Sequence, residues 1–117
     1  MKYKHYAPKG QLIIIEGRQT EVISYINRAI REKQTQGERV GVIATEETYQ
    51  LYQQAVVKSI GTREDEETIA RHLYAVLREF DEDGITYIFS EEFDTPHMGR
   101  AIMNRLIRAA GHQIIQL

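Results

Sequence analysis

The sequence has no cysteine, which excludes a disulfide framework, a thiolate metal site and a cysteine nucleophile together. No apolar run approaches the roughly 20 residues that a bilayer span requires. The opening residues are charged rather than apolar, so no secretory segment is expected, and a reducing cytoplasm is the expected compartment. An excess of basic charge is missing too. Fifteen Lys and Arg against seventeen Asp and Glu give a formal charge of -2, which argues against a broad basic face for nucleic acid. Glycine-rich phosphate cradles are absent: the first apolar run is followed by Glu16-Gly17-Arg18-Gln19-Thr20. A dinucleotide fingerprint needs three glycines there, and a phosphate-binding loop needs Gly-Lys-Ser/Thr.

What is present is alternation, in a chain of 117 residues that suits one core. Leu12-Ile13-Ile14-Ile15 is a continuous apolar run, as in a strand buried on both faces. Thr20 can cap a helix with Val22, Ile23, Ile26, Ala29 and Ile30 on one stripe, ended by Gly37. A second strand is expected over 39–44, a short polar helical stretch from Thr45, and a third strand over 55–60. Asp65 or Thr62 can cap the next helix, where Ile69, Leu73, Val76, Leu77 and Phe80 recur at helical spacing up to Gly84. A fourth strand over 85–90, a loop over 91–97, a helix from about Met98 to Ala110 and a strand at Ile114-Ile115 complete the series. This alternation predicts a Rossmann-like, doubly wound α/β fold with helices on both faces of a five-stranded parallel sheet. The expected order is 3-2-1-4-5, which puts strand 12–15 in the centre. Residues 1–10 read as an arm and 11–117 as the domain.

In such folds ligands lie beyond the carboxyl ends of the strands at the switch point, here between the loops after strands one and four. Glu16, Arg18, Glu91 and His97 are therefore the candidate cleft residues. The stretch Ser90-Glu91-Glu92-Phe93-Asp94-Thr95-Pro96-His97 brings three carboxylates and an imidazole together, a set able to bind a metal or move a proton. The preferred reading is a solvated acidic loop whose carboxylates cap the neighbouring helix. A receiver domain would carry a phospho-accepting Asp after strand three, where Ile60-Gly61-Thr62 stands instead. His72 and His112 lack a second ligand at i+3 or i+4, so both read as structural, as does the pair Asn104 and Arg105 on the last helix. Tyr25, Tyr49, Tyr52, Tyr74 and Tyr87 are spread along the chain and form no stacking platform. No metal site or cofactor is expected in the domain itself. The arm differs from all of this: Lys2, Tyr3, Lys4, His5 and Tyr6 pack cations, an imidazole and phenols into five residues suited to phosphate and aromatic contacts, with a disordered basic tail as the competing reading on composition alone.

Two motifs carry a resemblance. Met1-Lys2-Tyr3-Lys4-His5-Tyr6-Ala7-Pro8 resembles the interdomain linker of the two-domain threonylcarbamoyl-AMP synthases, and Gly99-Arg100-Ala101-Ile102-Met103-Asn104-Arg105-Leu106 with Ala109-Ala110-Gly111 is similar to the G-x-A-I-M-N-R-L pattern of their smaller C-terminal domain. The resemblance covers essentially the whole chain. It implies a nucleotidyltransferase that condenses threonine, bicarbonate and ATP, with Mg, into threonylcarbamoyl-AMP for tRNA threonylcarbamoyladenosine modification. It also implies that the catalytic machinery sits in an N-terminal, double-stranded-RNA-binding-like domain of the same polypeptide. On that basis this chain is a Rossmann-like accessory domain, inactive alone, whose Lys2, Tyr3, Lys4, His5 and Tyr6 close over bound nucleotide and threonylcarbamate. The alternative is a stand-alone small-molecule-binding or regulatory module that uses the switch-point cleft. A reading frame continuing upstream of Met1 would separate the two.

Overall fold

The computed structural model describes residues 7–93 and 95–117. Strand β1 (Gln11–Glu16) leads into α1 (Gln19–Thr35) and β2 (Val40–Ala44); a 3-10 turn at Tyr49–Leu51 precedes β3 (Val56–Ser59). Then come α2 (Glu66–Glu82), β4 (Tyr87–Glu91), α3 (Gly99–Ala109) and β5 (Ile114–Gln116). Four of the six residues of β1 are buried, and all five of β2 are. That is what continuous apolar runs produce when both faces of a sheet are covered.

All five strands are parallel, as the alternation predicts, and they lie in the order β3-β2-β4-β1-β5. The expected order 3-2-1-4-5 is thus corrected. The central strand is β4, which pairs with β1 from Gln11↔Tyr87 to Ile15↔Glu91 and with β2 from Val40↔Tyr87 to Ile43↔Ser90. The run 12–15 is one place off centre. Apolarity could not separate the two strands, because both have four buried residues. Crossover length could not either. Helix α1 has 17 residues, about 25 Å at 1.5 Å per residue, enough to step over one intervening strand, a distance of about 10 Å at about 4.8 Å per strand.

The two faces have separate cores. On one, Leu12, Ile14, Ile43 and Ile88 meet Ile69, Leu73, Leu77 and Phe80 of α2 and Ile102 and Leu106 of α3. On the other, Ile13, Ile15, Val40, Val42 and Phe89 meet Val22, Ile26, Ala29 and Ile30 of α1. Each fully buried Ile or Leu contributes roughly 1.5–3 kcal/mol by leaving water. At Gly41 a Cβ would lie 2.6 Å from Phe80 Cε1, so the absence of a side chain there lets the α2 ring rest directly on β2.

Helix ends follow local chemistry with one correction. Asp65 caps α2 as expected, accepting from the Thr68 amide at 3.2 Å and the Thr68 hydroxyl at 2.6 Å. Helix α1 starts two residues earlier than Thr20 implies: Arg18 is its N-cap, and no side chain bonds the free amides there. The helix stop at Gly37 holds, with φ +88° just past the end of α1.

Candidate functional site

Charged and polar side chains converge at the carboxyl end of the sheet. Glu91 is the last residue of β4 and only 3% exposed. The expected solvated acidic loop therefore starts one residue later than 91, because β4 extends through Glu91 as it pairs with Ile15 of β1. Its Oε2 accepts hydrogen bonds from the Thr48 hydroxyl at 2.7 Å and the Tyr52 hydroxyl at 2.5 Å. Its Oε1 accepts from Arg63 Nη2 at 2.9 Å, a salt bridge in which Arg63 is 30% exposed. Burial first, then the Glu91 carboxylate, hold the Tyr52 proton on well above the usual phenol range.

Arg63 is held from several sides. Its Nη1 donates to the Glu92 carbonyl at 3.2 Å, its amide donates to Glu47 Oε2 at 3.2 Å, and its guanidinium lies 5.6 Å from the Phe93 ring centre. Thr45 and Thr48, both fully buried, bond each other within the loop after β2. Loops after β2, β3 and β4 are thereby tied by one buried polar network. It borders a cleft of about 240 Å³ lined by Gly17, Gln19, Val22, Arg63, Glu91 and Glu92. The cleft lies at the switch point between β1 and β4, where the fold places ligands. Chemically it offers a fixed guanidinium whose charge is already matched by Glu91.

Of the four expected cleft residues only Glu91 lines it. Glu16 turns to the sheet edge, where its Oε1 accepts from Gln116 Nε2 at 3.1 Å. Arg18 is exposed at the start of α1, and His97 is exposed beside α2, its amide donating to Glu66 Oε2 at 3.0 Å. Glu66 also accepts from the Met98 amide at 2.8 Å, so this α2 residue receives the amides just ahead of α3. The His97 amide, ahead of other causes, lowers the Glu66 pKa. Sequence reasoning missed Thr48, Tyr52 and Arg63. Their one signal is position just beyond the carboxyl ends of β2 and β3. His72 and Asn104 are exposed; His112, with φ +65°, forms the turn into β5. Among the described residues no group of three or more His, Cys, Asp or Glu is placed to hold a metal ion, and no helix is long and apolar enough to cross a membrane. Lys2, Tyr3, Lys4, His5 and Tyr6 lie outside the described residues.

Fold and site together define a small doubly wound α/β domain with a charged crevice at its switch point. Residues 1–111 match the family model described as threonylcarbamoyl-AMP synthase, C-terminal domain, and the chain belongs to that family. It is 46% identical over 116 residues to the threonylcarbamoyl-AMP synthase of Bacillus subtilis (strain 168), a match covering 99% of this chain and 32% of the relative. The crystal structure of P. abyssi Sua5 complexed with L-threonine superposes with a TM-score of 0.84 at 35% identity, over 98% of this chain and 32% of that one. A variant of P. abyssi Sua5 with an adjacent histidine and tyrosine both changed to alanine gives 0.82 at 33% identity, over 94% and 30%. The chain thus spans about a third of the length of the relatives it matches.

Proposed function

We propose that this chain serves as the accessory C-terminal domain of a threonylcarbamoyl-AMP synthase. The carrying observation is the 46% identity that covers 99% of this chain yet only 32% of the Bacillus subtilis relative. The larger polypeptide joins threonine, bicarbonate and ATP, in a catalytic part outside residues 11–117. Residues 1–10 are the linker between the two. Within it Lys2, Tyr3, Lys4, His5 and Tyr6 close over nucleotide and threonylcarbamate, exclude water and protect a labile carbamate. One comparison supports this assignment: the P. abyssi protein has been studied with an adjacent His and Tyr replaced, and in this chain His and Tyr stand side by side in that order only at His5-Tyr6.

The test is pyrophosphate release from ATP in the presence of threonine and bicarbonate. The full-length polypeptide carrying this domain is expected to release it, and the isolated chain is expected to release none. Release by the isolated chain would make it an enzyme in its own right and overturn the accessory reading.

A further inference from the structure

The polar network at the carboxyl end is more than the fold requires. Burying an ion pair costs about as much as the pairing returns, and apolar side chains of similar volume would hold the same loops. Here the Glu91 carboxylate accepts three hydrogen bonds, from Thr48, Tyr52 and Arg63. A carboxylate has about four acceptor positions, so one stays open. Arg63 is fixed through Nη1 and Nη2 yet remains 30% exposed. Its Nε is buried with no hydrogen-bond partner among the described residues. A buried donor in that state is a standing loss, and it calls for an acceptor that the chain does not supply.

The facing wall of the cleft also has donors to spare. Helix α1 begins at Gln19, and no side chain caps it. The amides of Gln19, Thr20 and Glu21 have no partner among the described residues, and they form the positive end of a helix 17 residues long. Both signs of charge therefore line one cavity of about 240 Å³. They lie side by side, with Arg63 Nη2 only 2.9 Å from Glu91 Oε1. An anion alone would meet the carboxylates of Glu91 and Glu92, and a cation alone would meet Arg63 and the helix end. A molecule whose own opposite charges are equally close finds a partner for each. An α-amino acid is such a molecule, since its ammonium and carboxylate share one carbon. The volume falls below the roughly 300–1,000 Å³ of sites for larger ligands, which limits the side chain to a short one, and Val22 offers it an apolar surface.

We propose that the switch-point cleft binds a small α-amino acid, with Arg63 and the first amides of α1 taking its carboxylate and Glu91 and Glu92 taking its ammonium. The site uses only residues 17–92 and does not depend on how the arm acts.

Both cores are complete within residues 11–117, so the isolated chain is titrated by calorimetry, which keeps the rest of the larger polypeptide out of the measurement. The probes are L-alanine, L-serine and L-threonine, set against propionate, ethylamine and inorganic phosphate. At least one amino acid is expected to bind with a Kd of about 1 mM or tighter, and each of the three comparison compounds about tenfold or more weakly than that. Gln19→Glu puts a carboxylate where the amino acid's own would lie, while an acid in the first turn favours the helix. Its melting temperature should equal or exceed that of wild type, and its affinity for the amino acid should fall about tenfold. Phosphate or propionate binding as tightly as the best amino acid would overturn the proposal and make the cleft an anion site. No binding by any of the three amino acids at about 10 mM would overturn it too, as would an affinity unchanged in Gln19→Glu.

Discussion

The two ends of one sheet are built from similar groups used in opposite ways. At the carboxyl end Glu91, Tyr52 and Thr48 are each at most 5% exposed, and the buried Glu91 carboxylate is answered by Arg63, which keeps part of its guanidinium in water. At the amino end the contacts are exposed: Lys9 to Asp81, Arg39 Nη2 to the Asp83 carbonyl at 2.9 Å, and the Arg39 amide to the Thr86 hydroxyl at 2.8 Å. Lys58 adds ion pairs to Glu79 of α2 at 3.3 Å and to Asp83, just past the end of that helix, at 3.4 Å. A buried charge needs its partner, whereas an exposed one exchanges it for water at little loss. The polar contacts at the carboxyl end are therefore the costlier ones to break, and those at the amino end the cheaper.

The largest expected effect is at Glu91. Glu91→Ala strands the Arg63 guanidinium and two hydroxyls, and should lower the unfolding free energy by about 3 kcal/mol, the low end for a broken buried pair because Arg63 is 30% exposed. Urea denaturation of the isolated chain measures it, and a loss under about 1 kcal/mol would erase the contrast between the ends. Tyr52→Phe removes one hydrogen bond to a carboxylate and should cost about 1.5 kcal/mol. It has a pH signature as well. The Tyr52 phenol is raised in the folded state, so its contribution is complete below the ordinary phenol range near pH 10 and fades as the pH climbs above it. Wild type should lose stability there more steeply than Tyr52→Phe. Equal alkaline slopes would mean that burial and the Glu91 carboxylate together do not hold the Tyr52 proton in place.

Smaller effects belong to contacts whose carboxylates are exposed. Lys58→Ala releases Glu79 and Asp83, both able to exchange their partner for water, so it should cost less than about 1 kcal/mol, and the difference from wild type should shrink at high salt. A loss as large as that of Glu91→Ala would show that both ends are equally structural. Glu66 is the mildest case. Its carboxyl is held below the usual range, chiefly by the His97 amide, so its contribution is present at neutral pH and disappears as the pH falls below the ordinary carboxylate range. Glu66→Gln should flatten that part of the acid limb. An acid limb identical to wild type would remove Glu66 from the account of how the chain enters α3.

Much of the fold was legible because burial on both faces leaves continuous apolar runs, and α2 and α3 show their buried stripes at helical spacing. Strand order was not legible, and the site was lost with it. Placing 12–15 in the centre separates strand two from strand four, which keeps Thr48 and Tyr52 away from Glu91. Once β4 lies between β2 and β1, the loops after β2 and β3 become neighbours of the end of β4, and the Glu that closes one strand meets an Arg beyond another. Glu91 looked like a solvated loop residue since Glu92 and Asp94 follow it, and no local pattern marks a carboxylate buried by pairing from a distant loop. The family was legible from the arm and the 99–106 motif, because both are contiguous runs of residues and need no tertiary knowledge.

The claim that the amino end carries the domain's contribution is tested most directly in the full-length polypeptide by Lys2→Ala, Lys4→Ala and His5→Ala combined. Turnover should fall by about tenfold or more with the melting temperature unchanged, because the two cores and the buried polar network are built from residues 11–117. Wild-type turnover together with wild-type affinities for ATP and threonine would contradict it, and would reduce the arm to a tether.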